Sequence, residues 1–397
     1  MTGYLYAGCA TLILFISLLI AGKKGKGLSD YIFLTWLLIM LGNVATFIII
    51  LKYNYPASFA GRILVEFSEA SVFMHGPVFL FYTLSLATSN FRLGFRQALH
   101  LIPFTVCLGI LISGIVFTNG VGNTTREVLT IVKMISLLAY TSIVITQLKK
   151  HRNRVERIFS NTESKYLGWL KFLAWGIIVV WIISSVGLLL YNFSGFKIPQ
   201  YGALAGNLAL CGLIFLIGYF GVRQEAIFNF AKKNGVTILP EEIEIIIVPQ
   251  IIDNSIIPET IPPDGNASEP ILNDKYKNSG LSKQKSLELF EALGTLMKDR
   301  KPYQDTELTL FTLAKQLSIH PNHLSQIINQ HHNQNFFDYI NEHRVNDVKE
   351  ALFSGKYDNL SLLGIGHEFG FNSKASFNRA FKKFTGMTPS AFRKTAH

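Results

Sequence analysis

The stretch "FGFNSKASFNRAFKKFTGMTP", residues 369–389, reads as a short basic helix between two sharp boundaries. Asn372 and Ser373 supply capping oxygens at its start, and the Thr385-Gly386 step ends it. Phe377, Phe381 and Phe384 recur at helical spacing and give it a core face. The other face carries Lys374, Asn378, Arg379, Lys382 and Lys383, the chemistry of a rod pressed against a polyanion.

Just upstream, Ser361 caps a short helix that turns at Gly370, and two short helices joined by so tight a turn make a helix-turn-helix. The same order occurs once before. Thr309 caps "LFTLAKQL", "SIHP" turns, and Pro321 opens "PNHLSQIINQ", whose Leu324, Ile327 and Ile328 point inward. Ala314 and Gly366 are the small residues where each pair of helices crosses. Between the copies, "FFDYINEHRVNDVKEALFSGKY" sets Tyr339, Val345, Val348, Ala351 and Leu352 on one stripe and stops at Gly355. A helix of about twenty residues spans roughly 30 Å. That is close to the roughly 34 Å between major grooves on one face of DNA. Ahead of both copies, Ser282 caps a helix over 283–298 with Leu289, Leu293 and Leu296 inward.

Over about 305–396 these residues resemble the AraC/XylS transcription regulators, most specifically in "GFNSKASFNRAFKKFTGMTPSAFRK" and "YINEHRVNDV". The resemblance implies that exposed residues early in each second helix read base edges. These are Asn322, Ser325 and Gln326 in the first copy, and Lys374, Ser376, Asn378 and Arg379 in the second. Asn or Gln suits adenine, and Arg or Lys suits guanine. Lys382 and Lys383 fall where phosphate contacts are expected. RNA polymerase is an implied partner. One departure is Gly366, where the family usually has alanine; with Gly364 nearby it lowers the helix's stability by about 1 kcal/mol.

The rest of the chain is of another kind. Charged residues make up 16% of the 397 and hydrophobic ones 49%; mean hydropathy is +0.30. Seven apolar runs, about 4–22, 31–51, 63–88, 98–118, 128–148, 168–192 and 202–222, each approach the length needed to cross a bilayer. The loops on one side hold 14 Lys and Arg, six of them in "KKHRNRVERIFSNTESKY", against 4 on the other. That bias puts the N-terminus outside and the C-terminus in the cytoplasm. "MTGYLY" has no positive charge ahead of the first run, so that run reads as a span and not as a cleaved signal peptide. The architecture looks like membrane-bound members of the same family.

Within the third run lie Glu66, Glu69 and His75, followed by Gly76-Pro77. Polar groups at such depth are costly and mark functional sites. Glu66, Glu69 and His75 form either a pocket for an external or membrane-borne signal, or an interfacial Glu66–Arg62 pair beside a packing kink. Lys133 and Lys171 read as snorkelling residues. Cys9, Cys107 and Cys211 sit in apolar runs as small hydrophobes, and His331-His332 as a solvated helix end.

Residues 223–283 reverse the charge, with 6 Lys and Arg against 9 Asp and Glu, and are rich in proline. They read as a flexible tether, with "EEIEIIIVPQII" as a short edge strand. The fold class is therefore all-α: a seven-span membrane domain over 1–222, an acidic linker over 223–283, and a double helix-turn-helix domain over 284–397. No pattern calls for a catalytic centre, a cofactor or a metal. The partners that follow are double-stranded DNA, a lipid bilayer, an unidentified signal ligand and a second copy of the chain. The function is that of a one-component membrane sensor and transcription regulator. The competing reading is a transporter-like protein whose DNA-binding tail reports substrate traffic.

Overall fold

A computed structural model describes residues 2–53, 58–88, 91–118, 120–162, 167–194, 282–355, 357 and 359–396, with 212, 214–216, 219 and 220 besides. It divides into two compact units, Met1–His151 with Leu167–Thr237, and Arg152–Tyr166 with Ile238–His397. Among the described residues all regular structure is helical, apart from one isolated bridge between Phe159 and Thr309.

The first unit contains α1 (Thr2–Ala21), α2 (Leu28–Tyr53), α3 (Phe59–Ala87), α4 (Ile102–Thr118), most of α5 (Asn123–Ile158), and α6 (Gly168–Ser194). Five helical stretches among the described residues are long and apolar enough to cross a membrane. They match the first five expected runs. α6 covers the sixth, and most of the seventh lies outside the described residues, as do the tether and its expected strand. The outer surface is greasy, with Leu18 70% and Phe117 82% exposed. A water-soluble unit would bury such side chains; a lipid-facing one need not. Helix α3 is the central one, burying residues along its length from Val65 and Glu66 through Phe73 and Phe79 to Ala87. Trp36 stacks on Phe79 at 5.3 Å and Phe33 on Tyr82 at 5.1 Å, locking α2 to α3.

Two expectations change here. Cys9 is held in a disulfide and is not simply a small hydrophobe, whereas Cys107 is free and buried. Helix α5 does not stop where its apolar run stops: it continues to Ile158 through residues expected in a loop. Lys and Arg are good helix formers, and Arg152 pairs with Glu156 one turn on at 2.8 Å.

In the second unit, α7 (Lys283–Arg300), α8 (Leu310–Gln316), α9 (Pro321–His332), α10 (Phe336–Ser354), α11 (Leu362–Glu368), α12 (Lys374–Thr385) and α13 (Pro389–Ala396) surround two cores. One gathers Leu293, Leu310, Leu313, Ala314, Leu324 and Ile327; the other gathers Ile365, Phe371, Phe377 and Phe381. Helix α10 serves both, giving Phe336, Tyr339 and Ile340 to the first and Val345, Val348 and Leu352 to the second. At 19 residues it is about 28 Å long.

Candidate nucleic-acid interface

The helices of both helix-turn-helix pairs are placed by their caps. Thr309 Oγ accepts from the Thr312 N–H at 3.1 Å to start α8, and Ser361 Oγ from the Gly364 N–H at 3.0 Å to start α11. Ser373 Oγ accepts from the Ser376 N–H at 3.1 Å to start α12. For α9 the cap is His320, whose Nδ1 accepts from the Asn322 N–H at 3.2 Å, with Pro321 in the first turn. The two turns are equivalent but built differently. The first uses Ser318 at φ 55°, the second Gly370 at φ 89°.

On α12, Lys374, Arg379, Lys382 and Lys383 are exposed and Asn378 half-buried, on the face opposite Phe377 and Phe381. On α9, Asn322 and Ser325 are half-buried. Gln326 and Ser376 depart from the expected exposure: each is 6% exposed. Lys383 is tied by its Nζ to Asp338 Oδ1 of α10 at 2.6 Å. The helix end His331-His332 is not merely solvated. His331 stacks on Phe290 at 4.3 Å, and His332 lies 4.8 Å from the Tyr339 ring.

Arg344 is the residue whose role the sequence hid. It is 1% exposed. Its Nε donates to the Tyr303 carbonyl at 2.6 Å, Nη2 to the Asp305 carbonyl at 2.8 Å, and Nη1 to Asn341 Oδ1 at 3.3 Å. It also lies over the Phe371 ring at 5.8 Å, so one guanidinium joins α10 to both helix-turn-helix halves. Burial lowers its pKa to about 10, against the opposing pull of Asp305 and Glu307, and it stays charged at neutral pH. The available signal was an arginine adjoining the apolar stripe of "YINEHRVNDV".

In the first unit the third-run residues separate. Glu66, 0% exposed, makes a two-pronged pair with Arg126 and not with Arg62. Glu69 pairs with Lys133, which is 5% exposed and so not a snorkelling side chain. His75 and Glu69 line a cavity of about 320 Å³ whose walls include Tyr6, Trp36, Phe47 and Asn43. The Trp36 indole N–H donates to His75 Nδ1 at 3.0 Å, and Asn43 faces His75 Nε2 at 2.9 Å. A neutral imidazole accepting at Nδ1 carries its proton on Nε2, so the Asn43 oxygen belongs there. The Asn43 NH₂ then meets the Ser68 and Ser71 hydroxyls, 2.9 and 2.8 Å away. The Tyr6 hydroxyl, buried in the same wall, has no hydrogen-bond partner among the described residues. No group of residues able to hold a metal occurs among those described.

A family model described as a helix-turn-helix domain matches residues 313–395. Two curated proteins are similar over about a fifth of the chain each. The uncharacterized HTH-type transcriptional regulator YtdP of Bacillus subtilis is 29% identical over 89 residues, 22% of this chain and 11% of that protein. The HTH-type transcriptional regulator GlxA of Rhizobium meliloti is 29% identical over 82 residues, 21% of this chain and 24% of that protein. The chain thus spans only a minor part of either relative's length. Among solved structures, the C-terminal domain of AraT, a response regulator from Geobacillus stearothermophilus, is 26% identical and covers 29% of this chain and 88% of its own, with a TM-score of 0.24. The C-terminal domain is a helix-turn-helix domain of the AraC type.

Proposed function

We propose that this chain is a membrane-anchored, sequence-specific DNA-binding transcription regulator. Residues 1–222 hold it in a bilayer, 223–283 tether it, and 284–397 bind promoter DNA on the cytoplasmic side. The observation that carries the reading is α12. It has a capped start, an aromatic face in the core, and Lys374, Arg379 and Lys382 exposed on the other side. Arg379 reads a guanine edge, while Lys382 and Lys383 meet phosphates. Asn322 and Ser325 of α9 do the same for a second groove, about one α10 length away. Gln326 and Ser376, being buried, hold the reading helices from behind.

The cavity supports a sensing role for the first unit. At about 320 Å³ it falls at the small end of small-molecule sites, and it pairs mostly apolar walls with a few polar groups. Its occupant is a small, largely apolar molecule offering an acceptor to the Tyr6 hydroxyl. A second copy of the chain and RNA polymerase complete the assembly at a promoter.

The test is selection of duplexes from a random library by the full chain in detergent. A recovered consensus, binding that weakens steeply with salt, and loss of preference at one position in Arg379→Ala are the expected results. Equal binding to every sequence would overturn the reading.

A further inference from the structure

The helix assigned to DNA reading shares its unit with a segment from between two apolar runs. Residues 152–162 pack in the second unit, and they do so with specific bonds. Ser160 is 0% exposed, and both its N–H and its hydroxyl donate to the Leu308 carbonyl, at 3.2 and 2.7 Å. Arg344 donates to Ser160 twice, from Nη1 to the carbonyl at 3.2 Å and from Nη2 to Oγ at 3.1 Å. Asn341 Nδ2 also reaches that carbonyl, at 3.4 Å. Next to it, Phe159 and Thr309 form the antiparallel bridge, while Asn161 and Thr162 are buried. A solvated spacer has no reason to bury a serine among five hydrogen bonds or to satisfy the most buried guanidinium of the domain.

The same segment approaches α12. Arg152 and Glu156 line a cleft of about 100 Å³ together with Asp338, Arg379, Lys383 and Phe384. Two carboxylates therefore stand where phosphates would have to come. A helix with its side chains is about 10–12 Å across, and the major groove is about 12 Å wide. The end of α5 and a DNA duplex cannot both lie against Arg379 and Lys383.

We propose that residues 152–162 are a docking segment that holds the DNA-binding domain in a state excluding the duplex, and that its release is the step a signal controls. This rests on reading α12 as the DNA-contacting helix. The segment is the continuation of α5, the helix whose Lys133 pairs with Glu69 at the cavity wall. The docked segment thus follows directly, along the chain, the helix that bears Lys133, and a change at Glu69 is the signal that would release it. The acidic tether is a second, longer connection and need not itself act as the switch.

The test uses the full chain in detergent. Residues facing across an antiparallel bridge have Cα atoms about 4.5–5.5 Å apart, within the span of a disulfide. Phe159→Cys with Thr309→Cys should therefore cross-link on oxidation, and the oxidised form should bind its selected duplex at least tenfold more weakly than the reduced form. Wild type and the single Thr309→Cys variant, treated alike, should show no such change; they control for Cys9 and for the lost cap. Ser160→Leu, which removes the hydroxyl bonds and overfills the site, should bind at least tenfold more tightly than wild type. Failure to cross-link, or equal affinity in all forms, overturns the docking switch alone. If no form, Ser160→Leu included, binds any duplex, the DNA-binding reading falls with it.

Discussion

Gly370 lies so close to Tyr303 that a β-carbon there would stand 2.6 Å from the Tyr303 carbonyl oxygen and 2.9 Å from Arg344 Nε. That carbonyl is the acceptor of the Arg344 Nε–H. The turn of the second helix-turn-helix is thus pressed onto the hub that organises the first, at a φ of +89° that L side chains rarely adopt. Gly370→Ala should cost about 2–4 kcal/mol, since the clash is with backbone and the conformation is strained as well. The urea midpoint of the helical signal from the second unit should fall accordingly. An unchanged midpoint would mean that the turn is free to move away from Tyr303.

Gly366 has a different outcome. Sequence reasoning sets it about 1 kcal/mol below alanine in helix propensity. In the fold, a β-carbon at Gly366 would meet the Phe377 ring at 3.1 Å. Gly366→Ala should therefore be close to neutral, within about 0.5 kcal/mol, because the propensity gain is offset by displacing a core phenylalanine. A full 1 kcal/mol of stabilisation in the same denaturation experiment would show that Phe377 yields freely.

How much was legible beforehand follows a physical line. Caps and apolar spacing are local, so Thr309, Ser361, Ser373 and the Phe377–Phe381 face could be read directly, and the match at 313–395 bears out the AraC-type resemblance. Helix extent failed at α5 because hydropathy marks where the apolar run ends, not where the backbone hydrogen bonds end. Partners distant in sequence were beyond reach. Nothing local says that Glu66 meets Arg126 and not Arg62, or that Arg344 reaches back 184 residues to Ser160.

Acid should loosen the second unit. Burial lowers the pKa of the half-buried His343 below the usual 6.5, outweighing the opposing pull of Glu342. The unfolded chain then binds more protons than the folded one. Its contribution to stability is complete above the ordinary histidine value and is lost as pH falls from there through the lowered one. The unfolding midpoint should drop between about pH 7 and pH 5, and His343→Gln should flatten that slope. A midpoint independent of pH over this range would contradict the partial burial of the His343 ring.

The third-run residues should divide in their phenotypes. Glu66 is fully buried against Arg126, so Glu66→Ala should reduce the yield of folded protein in membranes. Tyr6→Phe and His75→Gln touch the cavity wall and should leave the yield intact while altering the response of a promoter reporter to its inducing condition. Were the reporter response unaffected by both, the cavity would not be the sensing site. Reporter fusions after Arg157 and Asn123 should fall on opposite sides of the membrane, the first in the cytoplasm; the reverse result would separate the DNA-binding domain from DNA.

Lys383 and Asp338 give the most direct handle on affinity. The lysine ammonium lies 2.6 Å from the carboxylate, and the lysine is 53% exposed, so the pair is a weak one that a phosphate can break. Breaking it still costs, and it leaves a negative charge facing the duplex. Asp338→Asn removes that repulsion and frees Lys383, at the expense of an acidic residue in the first turn of α10, worth about 0.5 kcal/mol of helix stability. The full chain should then bind all duplexes more tightly by a similar factor of roughly three to ten, with a steeper dependence on salt and no change in preferred sequence. Lys383→Ala should do the opposite, weakening all sequences alike. A shift in sequence preference from either substitution would show that Lys383 reads a base, and the assignment of phosphate contacts on α12 would have to be redrawn from Lys382 outward.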